Sequence, residues 1–312
     1  MSKNLLIGAI TNYIWDDVAP FFNSYKQANF EDCECVMFTG SMSEETQAKI
    51  QNCGVDVLPI PEELSGQKII NIRWKLYYDF LKDNYYKYNM VLTADVRDVI
   101  FQCDLFRLCD GSKPFLGVAL EDGTIAEDPK YDAKWILDAY GNDIYQEIKD
   151  DTIICVGTVW GTSAEFMEYS RIMSDILLSE WSLRLNVVEQ AAGNYIIYHD
   201  KMFADELRPS TNYDGYVMTV GLTDAKNLHA DSEGNVLNGR GELAAVVHQY
   251  DRKPEIMAMV AGKYSAGMSW IARLRLKYYY HRFGLVLRFL HSMRRKGFLA
   301  AVRQTFRYVF RI

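Results

Sequence analysis

Hydrophobic residues follow two rhythms along the first two hundred positions of this chain. Short apolar runs bounded by polar or glycine-containing clusters alternate with segments whose apolar positions recur every three to four residues. Residues 5–10 read as a strand, 17–28 as a helix, 35–39 as a strand, 44–52 as a helix stopping at Gly54, and 55–60 as a strand. A helix over 73–83 and a strand over 90–94 follow. Strands over 115–120 and 153–156 come next, the second opening into a glycine-flanked turn from Gly157 to Thr162 ahead of a helix over 164–178. Two glycines there would let backbone approach a ligand closely, or make a tight connection around a core Trp160. This βαβα alternation predicts an α/β fold with a mostly parallel sheet flanked by helices.

Two apolar runs end in chemistry. The run 90–94 stops at Asp95-Val96-Arg97-Asp98, which sets hard oxygen ligands at the carboxyl edge of the sheet, where open α/β folds bind their ligands. The plainer alternative is that Asp95 caps the strand and Asp98 pairs with Arg97. A later apolar run, 243–247, ends at His248, whose imidazole could complete a carboxylate–imidazole metal site. No G-x-G-x-x-G follows the first strand, and no P-loop, G-x-S-x-G elbow or H-E-x-x-H helix occurs. Nicotinamide cofactors, Walker-type hydrolysis and those hydrolase classes drop away. What remains is a sheet that holds a nucleotide by strand-end groups and neutralises its diphosphate through a divalent ion.

The Asp95 to Asp98 stretch, followed by Phe101-Gln102, resembles the DxD-type metal motif of GT-A glycosyltransferases of the bacterial surface-polysaccharide type. The spacing departs from that motif, because Arg97 takes the second acidic position and Asp98 must serve instead. The resemblance extends over about residues 5–255. It implies a metal site of Asp95, Asp98 and His248 for Mn²⁺ or Mg²⁺, and a nucleotide-diphospho-sugar donor, with a UDP-sugar expected. It further implies donor contacts from Thr11, Asn12 and Tyr13, from Arg73 and Lys75 near the diphosphate, from Asp95 and Arg97, from Gly157 and Thr158, and from Gln190 in an acid–Gln pair with Glu189. For Arg73 and Lys75 a solvated basic face is the alternative, and for Glu189-Gln190 an exposed helix pair. An inverting enzyme would also need a carboxylate base, for which Glu121, Asp122 and Glu189 are the candidates.

Charge adds a second feature. The 312 residues carry a net charge of −7, yet residues 256–312 hold twelve Lys or Arg and no acid, leaving 22 basic and 41 acidic side chains in the first 255. This predicts a catalytic domain over 1–255 and a basic helical tail over 256–312. In the tail Phe298, Leu299, Val302, Phe306, Val309 and Phe310 recur at helical spacing beside Arg303, Arg307 and Arg311. The tail is expected to meet an anionic membrane surface, or else to pack its apolar stripe on the body. Nucleic acid is not an expected partner, because the acidic body would repel it.

The six cysteines, at 33, 35, 53, 103, 109 and 155, lack paired C-x-x-C spacing and read as reduced thiols. No secretory signal or spanning run is expected from the apolar pattern. The chain thus reads as a cytoplasmic, peripheral membrane enzyme that moves a sugar to a saccharide or lipid-linked acceptor. A sugar nucleotidyltransferase and a non-catalytic membrane-associated protein with a degenerate site are the rival readings.

Overall fold

Strand β1 (Lys3–Ile10) is apolar on both faces because it lies in the middle of a covered sheet. Leu6 and Ile10 point to one core, and Leu5 and Ile7 to the other, as the two-residue period of a strand requires. The computed structural model describes residues 3–279 and 284–310, with side chains described up to residue 305. The expected tail positions Phe306, Arg307, Val309, Phe310 and Arg311 lie outside the described side chains.

The chain continues through α1 (Trp15–Ala28), β2 (Cys33–Thr39), α2 (Glu44–Gln51), β3 (Asp56–Pro59), α3 (Ile69–Lys82) and β4 (Tyr88–Ala94). After β5 (Val99–Phe101) come β6 (Leu116–Thr124), α4 (Asp132–Ile148), β7 (Thr152–Thr162), α5 (Ser163–Leu177), α6 (Glu180–Leu185), α7 (Glu189–Asn194) and β8 (Leu207–Ser210). The main sheet has the order β3-β2-β1-β4-β7-β6-β8. Only β7 runs against the others, so the sheet is mostly parallel, as the alternating pattern predicts. On one face α1 packs Val18, Phe21 and Phe22 against the sheet; on the other, α3 and α5 interlock through Trp74, Tyr77, Phe166 and Tyr169. Each such buried apolar side chain contributes roughly 1.5–3 kcal/mol relative to exposure.

A second, small sheet carries the later strand end. It is built from β9 (Val217–Thr219) and β12 (Val246–His248) with β5, beyond a short hairpin of β10 (His229–Ala230) and β11 (Val236–Leu237). Strand β12 lies between β5 and β9, with His248 opposite both Val99 and Thr219.

The segment expected to turn between Gly157 and Thr162 is instead the second half of β7, and α5 starts immediately after it. Each element of that motif has its own reason for being there. Gly161 is pressed so closely on β6 that a Cβ would lie 2.5 Å from the Phe115 carbonyl oxygen. Trp160 is a core residue lying flat over Gly117. Helix α4 has no counterpart in the sequence reading, and α3 begins four residues before Arg73, which places that arginine in its second turn.

The apolar core runs across position 255. Helices α8 (Pro254–Lys263) and α9 (Trp270–Tyr278) and the connection between them contribute Ile256, Met257, Val260, Tyr264, Met268, Ala272 and Leu276 to the same cluster as α1 and β5. The Asn23 amide fastens their connection by donating to the carbonyls of Tyr264, at 2.8 Å, and Ala266, at 3.0 Å. Helices α10 (Gly284–Lys296) and α11 (Phe298–Phe310) complete the chain. Helix α10 docks on the buried acids that open α1: His291 Nε2 lies 2.8 Å from Asp17 Oδ1, and Arg294 lies 3.3 Å from Asp16. Tail cations are thereby partly used to neutralise Asp16 and Asp17. Among the described residues no helix is long and apolar enough to cross a membrane. All six cysteines are free.

Candidate metal centre

Three strands deliver the candidate ligands. Strand β4 ends at Ala94, and the next amide, that of Asp95, still donates to the Gly157 carbonyl of β7 at 2.8 Å. Asp98 immediately precedes β5, whose first residue pairs with His248 at the end of β12. As a result His248 Nε2 stands 3.7 Å from Asp95 Oδ2 and 3.8 Å from Asp98 Oδ1. One ligand atom from each of the three residues lies within 4.8 Å of the others. Asp98 and His248 are buried, whereas the Asp95 side chain keeps 36% of its exposure, so the cluster opens on the Asp95 side.

Space at this cluster depends on Gly157. A Cβ there would fall 2.4 Å from His248 Cε1 and 2.8 Å from Asp95 Oδ2. The glycine sits in a bulge: β7 pairs with β6 through Val159 opposite Val118 and then Cys155 opposite Ala119, which leaves residues 156–158 without partners on β6. Bulges beside functional sites re-aim backbone in this way.

A supporting layer fixes both the imidazole and the carboxylate. Cys155 Sγ lies 3.4 Å from His248 Nδ1, which leaves Nε2 to face the two acids. Burial pushes the Cys155 thiol up to about 11, so it stays a neutral partner, and the buried Glu121 carboxyl lies near the same thiol. Gln249, the next residue along, is held in the left-handed region at φ 61° with its buried Oε1 lacking a partner, the kind of strain that collects at functional sites. Asp95 is gripped from the other side by Arg73. That guanidinium also donates through Nε to Glu189 Oε2 at 2.8 Å and through its second terminal nitrogen to the Val156 carbonyl at 3.3 Å. Desolvation would raise the Asp95 carboxyl, but Arg73 and then His248 outweigh it and hold it well below the usual range. Burial raises Asp98, against the pull of His248.

The remaining candidate residues separate clearly. Glu189 opens α7 as a buried acid, accepting from Arg73 and, at 3.0 Å, from Trp74 Nε1; burial pushes it up to about 7. Gln190 donates to Asp132 at 2.8 Å, and burial lifts Asp132 to about 7 as well. Glu189 is therefore interior and Gln190 half-buried, so the pair does not lie on an exposed helix face. Arg97 is half exposed and pairs with Asp98 at 3.3 Å and Asp251 at 3.0 Å. Thr158 is buried beside Gly157 with its hydroxyl lacking a partner. Thr11, Asn12 and Tyr13 follow β1, and Asn12 adopts φ 60°. Lys75, two positions after Arg73 and so roughly 200° round the helix, pairs with Asp79 away from the cluster. Asp122 is exposed and accepts from Thr223 at 2.7 Å.

The structure thus joins Arg73, Asp95, Asp98, Glu121, Gly157, Glu189 and His248 through direct contacts or through Cys155. Cys155, Asp132 and Asp251 belong to the same surroundings and carry no motif that would single them out. A lone cysteine in an apolar strand has no sequence signal beyond its burial.

No family model matches the chain, and no curated protein matches it. Solved structures do. The apo bifunctional glycosyltransferase WbbM superposes with a TM-score of 0.53 at 10% identity, over 88% of this chain and 51% of that one. This chain therefore spans about half the length of WbbM. The galactosyltransferase LgtC, in complex with donor and acceptor sugar analogs, gives 0.49 at 13% identity, over 86% of this chain and 99% of that one. GlyE of Streptococcus pneumoniae gives 0.46 at 14% identity, over 96% of this chain and 64% of that one. At such identities the likeness speaks for architecture, and it rests on WbbM: this chain has the GT-A fold of glycosyltransferase structures.

Proposed function

We propose that this protein is a metal-dependent glycosyltransferase that moves a sugar from a nucleotide-diphosphate donor, a UDP-sugar first, to a saccharide or lipid-linked acceptor. One observation carries the reading: Asp95, Asp98 and His248 converge within 4.8 Å at the carboxyl edge of a mostly parallel sheet. Two carboxylates and an imidazole suit Mn²⁺ or Mg²⁺, and the missing side chain at Gly157 leaves the space such an ion needs. A divalent cation held there acts as a Lewis acid that stabilises the departing diphosphate.

On this reading Asp98 and His248 hold the ion, and Asp95 holds the ion or the donor ribose. Arg73 orients Asp95 rather than meeting the diphosphate, because it is buried and each of its three nitrogens already has a protein partner, in Glu189, Asp95 and Val156. Arg97, half exposed beside Asp98, is the cation suited to share the phosphate charge. Thr11, Asn12 and Tyr13 receive the nucleoside. Gly157, Thr158 and Gln190 line the sugar side.

The tail supports a membrane role in surface-polysaccharide or glycolipid synthesis at the cytoplasmic face. Phe298 and Leu299 keep 61% and 75% of their exposure, close in sequence to Lys296 and Arg303, and Trp270 keeps 64%, three residues before Arg273. Hydrolysis of a panel of nucleotide sugars, with and without Mn²⁺, tests the enzymatic reading. Turnover of one donor only in the presence of the ion is expected, and no turnover of any would overturn it. Sedimentation with phosphatidylserine vesicles tests the membrane role: binding should weaken in Phe298→Ser/Leu299→Ser, and a protein that ignores the vesicles removes it.

A further inference from the structure

The C-terminal helix α10 reaches back to the loop that follows the first strand. Arg295 donates through Nε to the Asn12 carbonyl at 3.0 Å, and its guanidinium lies 4.6 Å from the centre of the Tyr13 ring. The same nitrogen is 3.4 Å from Asp17 Oδ2, so the loop carbonyl is its nearer partner. Asp17 has a nearer partner in His291, which meets its other oxygen at 2.8 Å. Across the loop, the Asn12 amide donates to the Ser41 carbonyl at 2.8 Å. Asn12 itself is held at φ 60°, a left-handed conformation that the surroundings must maintain. The loop is therefore clamped between the end of β2 and a cation from the far end of the chain.

We infer that Arg295 is a positioning residue of the donor site: α10 extends it over Tyr13 to fix the conformation in which Thr11, Asn12 and Tyr13 meet the nucleoside of a nucleotide-diphosphate donor. The inference rests on the donor-site reading above. It makes the basic C-terminal helix a working part of the site and gives one of its cations a task inside the fold.

The test compares wild type with Arg295→Ala, Arg295→Lys and Arg294→Ala in the full-length protein. Arg294 serves as the control because its partner is Asp16, so its removal costs the same charge without touching the loop. Two quantities are read: hydrogen exchange of the Asn12 amide without nucleotide, and calorimetric affinity for UDP with Mn²⁺. Losing one hydrogen bond and one cation–π contact should speed exchange and weaken UDP binding by about tenfold each in Arg295→Ala. Arg295→Lys should recover part of both, and Arg294→Ala should match wild type. Wild-type exchange in Arg295→Ala overturns the inference, because the loop then does not depend on the arginine. Faster exchange with unchanged UDP affinity also overturns it, while leaving the donor-site reading intact. A wild-type protein that binds no UDP removes that reading and the inference together.

Discussion

His248 and Asp98 are 150 residues apart in sequence, yet their side chains come within 3.8 Å. The pairing of β12 with β5 enforces this, because His248 is set opposite Val99 and Asp98 is the residue before it. If both hold one ion, Asp98→Ala and His248→Ala should each lower Mn²⁺ affinity by more than roughly 100-fold, the upper end of what loss of a supporting partner costs. The double variant should be little worse than either single one, since the two act through the same cation. Calorimetry with Mn²⁺ showing wild-type affinity in both variants would sink the assignment.

Arg73 is a buried cation with three acceptors, and its removal should leave Glu189 buried without its ionic partner. Arg73→Ala is expected to cost about 3–5 kcal/mol in urea unfolding. Arg73→Lys should recover little of that, because one ammonium cannot reproduce the planar fork that meets Glu189, Asp95 and Val156 together. Replacing both Arg73 and Glu189 by Met should restore much of the stability while abolishing donor binding. A stable Arg73→Ala variant would contradict the account.

Asp132 gives a pH signature. Burial raises its carboxyl from 3.8 to about 7 in the fold, so the folded state holds its proton more tightly than the unfolded chain. Its contribution is fully present below about pH 4 and is lost as pH rises toward 7. Relative to Asp132→Asn, wild type should lose on the order of 4 kcal/mol between about pH 4 and pH 8. Parallel stability curves for the two proteins across that range would show that the site is not desolvated as described.

Ending the chain after Lys263 should damage the body. Tyr264, Met268, Ala272 and Leu276 are buried in the same core as α1, and Asp16 and Asp17 would lose Ser269, Arg275 and the α10 cations. Each large apolar side chain removed withdraws roughly 1.5–3 kcal/mol of burial. Ending it after Lys296, which removes only α11, should be far milder. Thermal melts decide the matter: a chain stopped at Lys263 that melts with the full-length protein would mean that α9 and α10 contribute nothing to the fold.

The layer order and the strand ends were legible because they are local. An apolar run that stops at Asp95, another that stops at His248, and the period change between strands and helices are written in consecutive residues, and they carry both the α/β class and the candidate ligands. The contrast between an acidic body and a basic C-terminal stretch is equally plain in composition.

Tertiary structure decided what depends on pairing between distant segments. Arg73 meets Glu189, 116 residues away, and nothing in the local pattern of α3 announces that partner. Gly157 looks like a turn residue in sequence; in the sheet it lies in a three-residue bulge where a side chain would strike His248. The basic helices read as a separate surface segment because charge is counted along the chain. In space, buried Asp16 and Asp17 need cations, and α9 and α10 supply them. Burial and partner choice are set by the packed fold, which a sequence constrains only through all of its contacts at once.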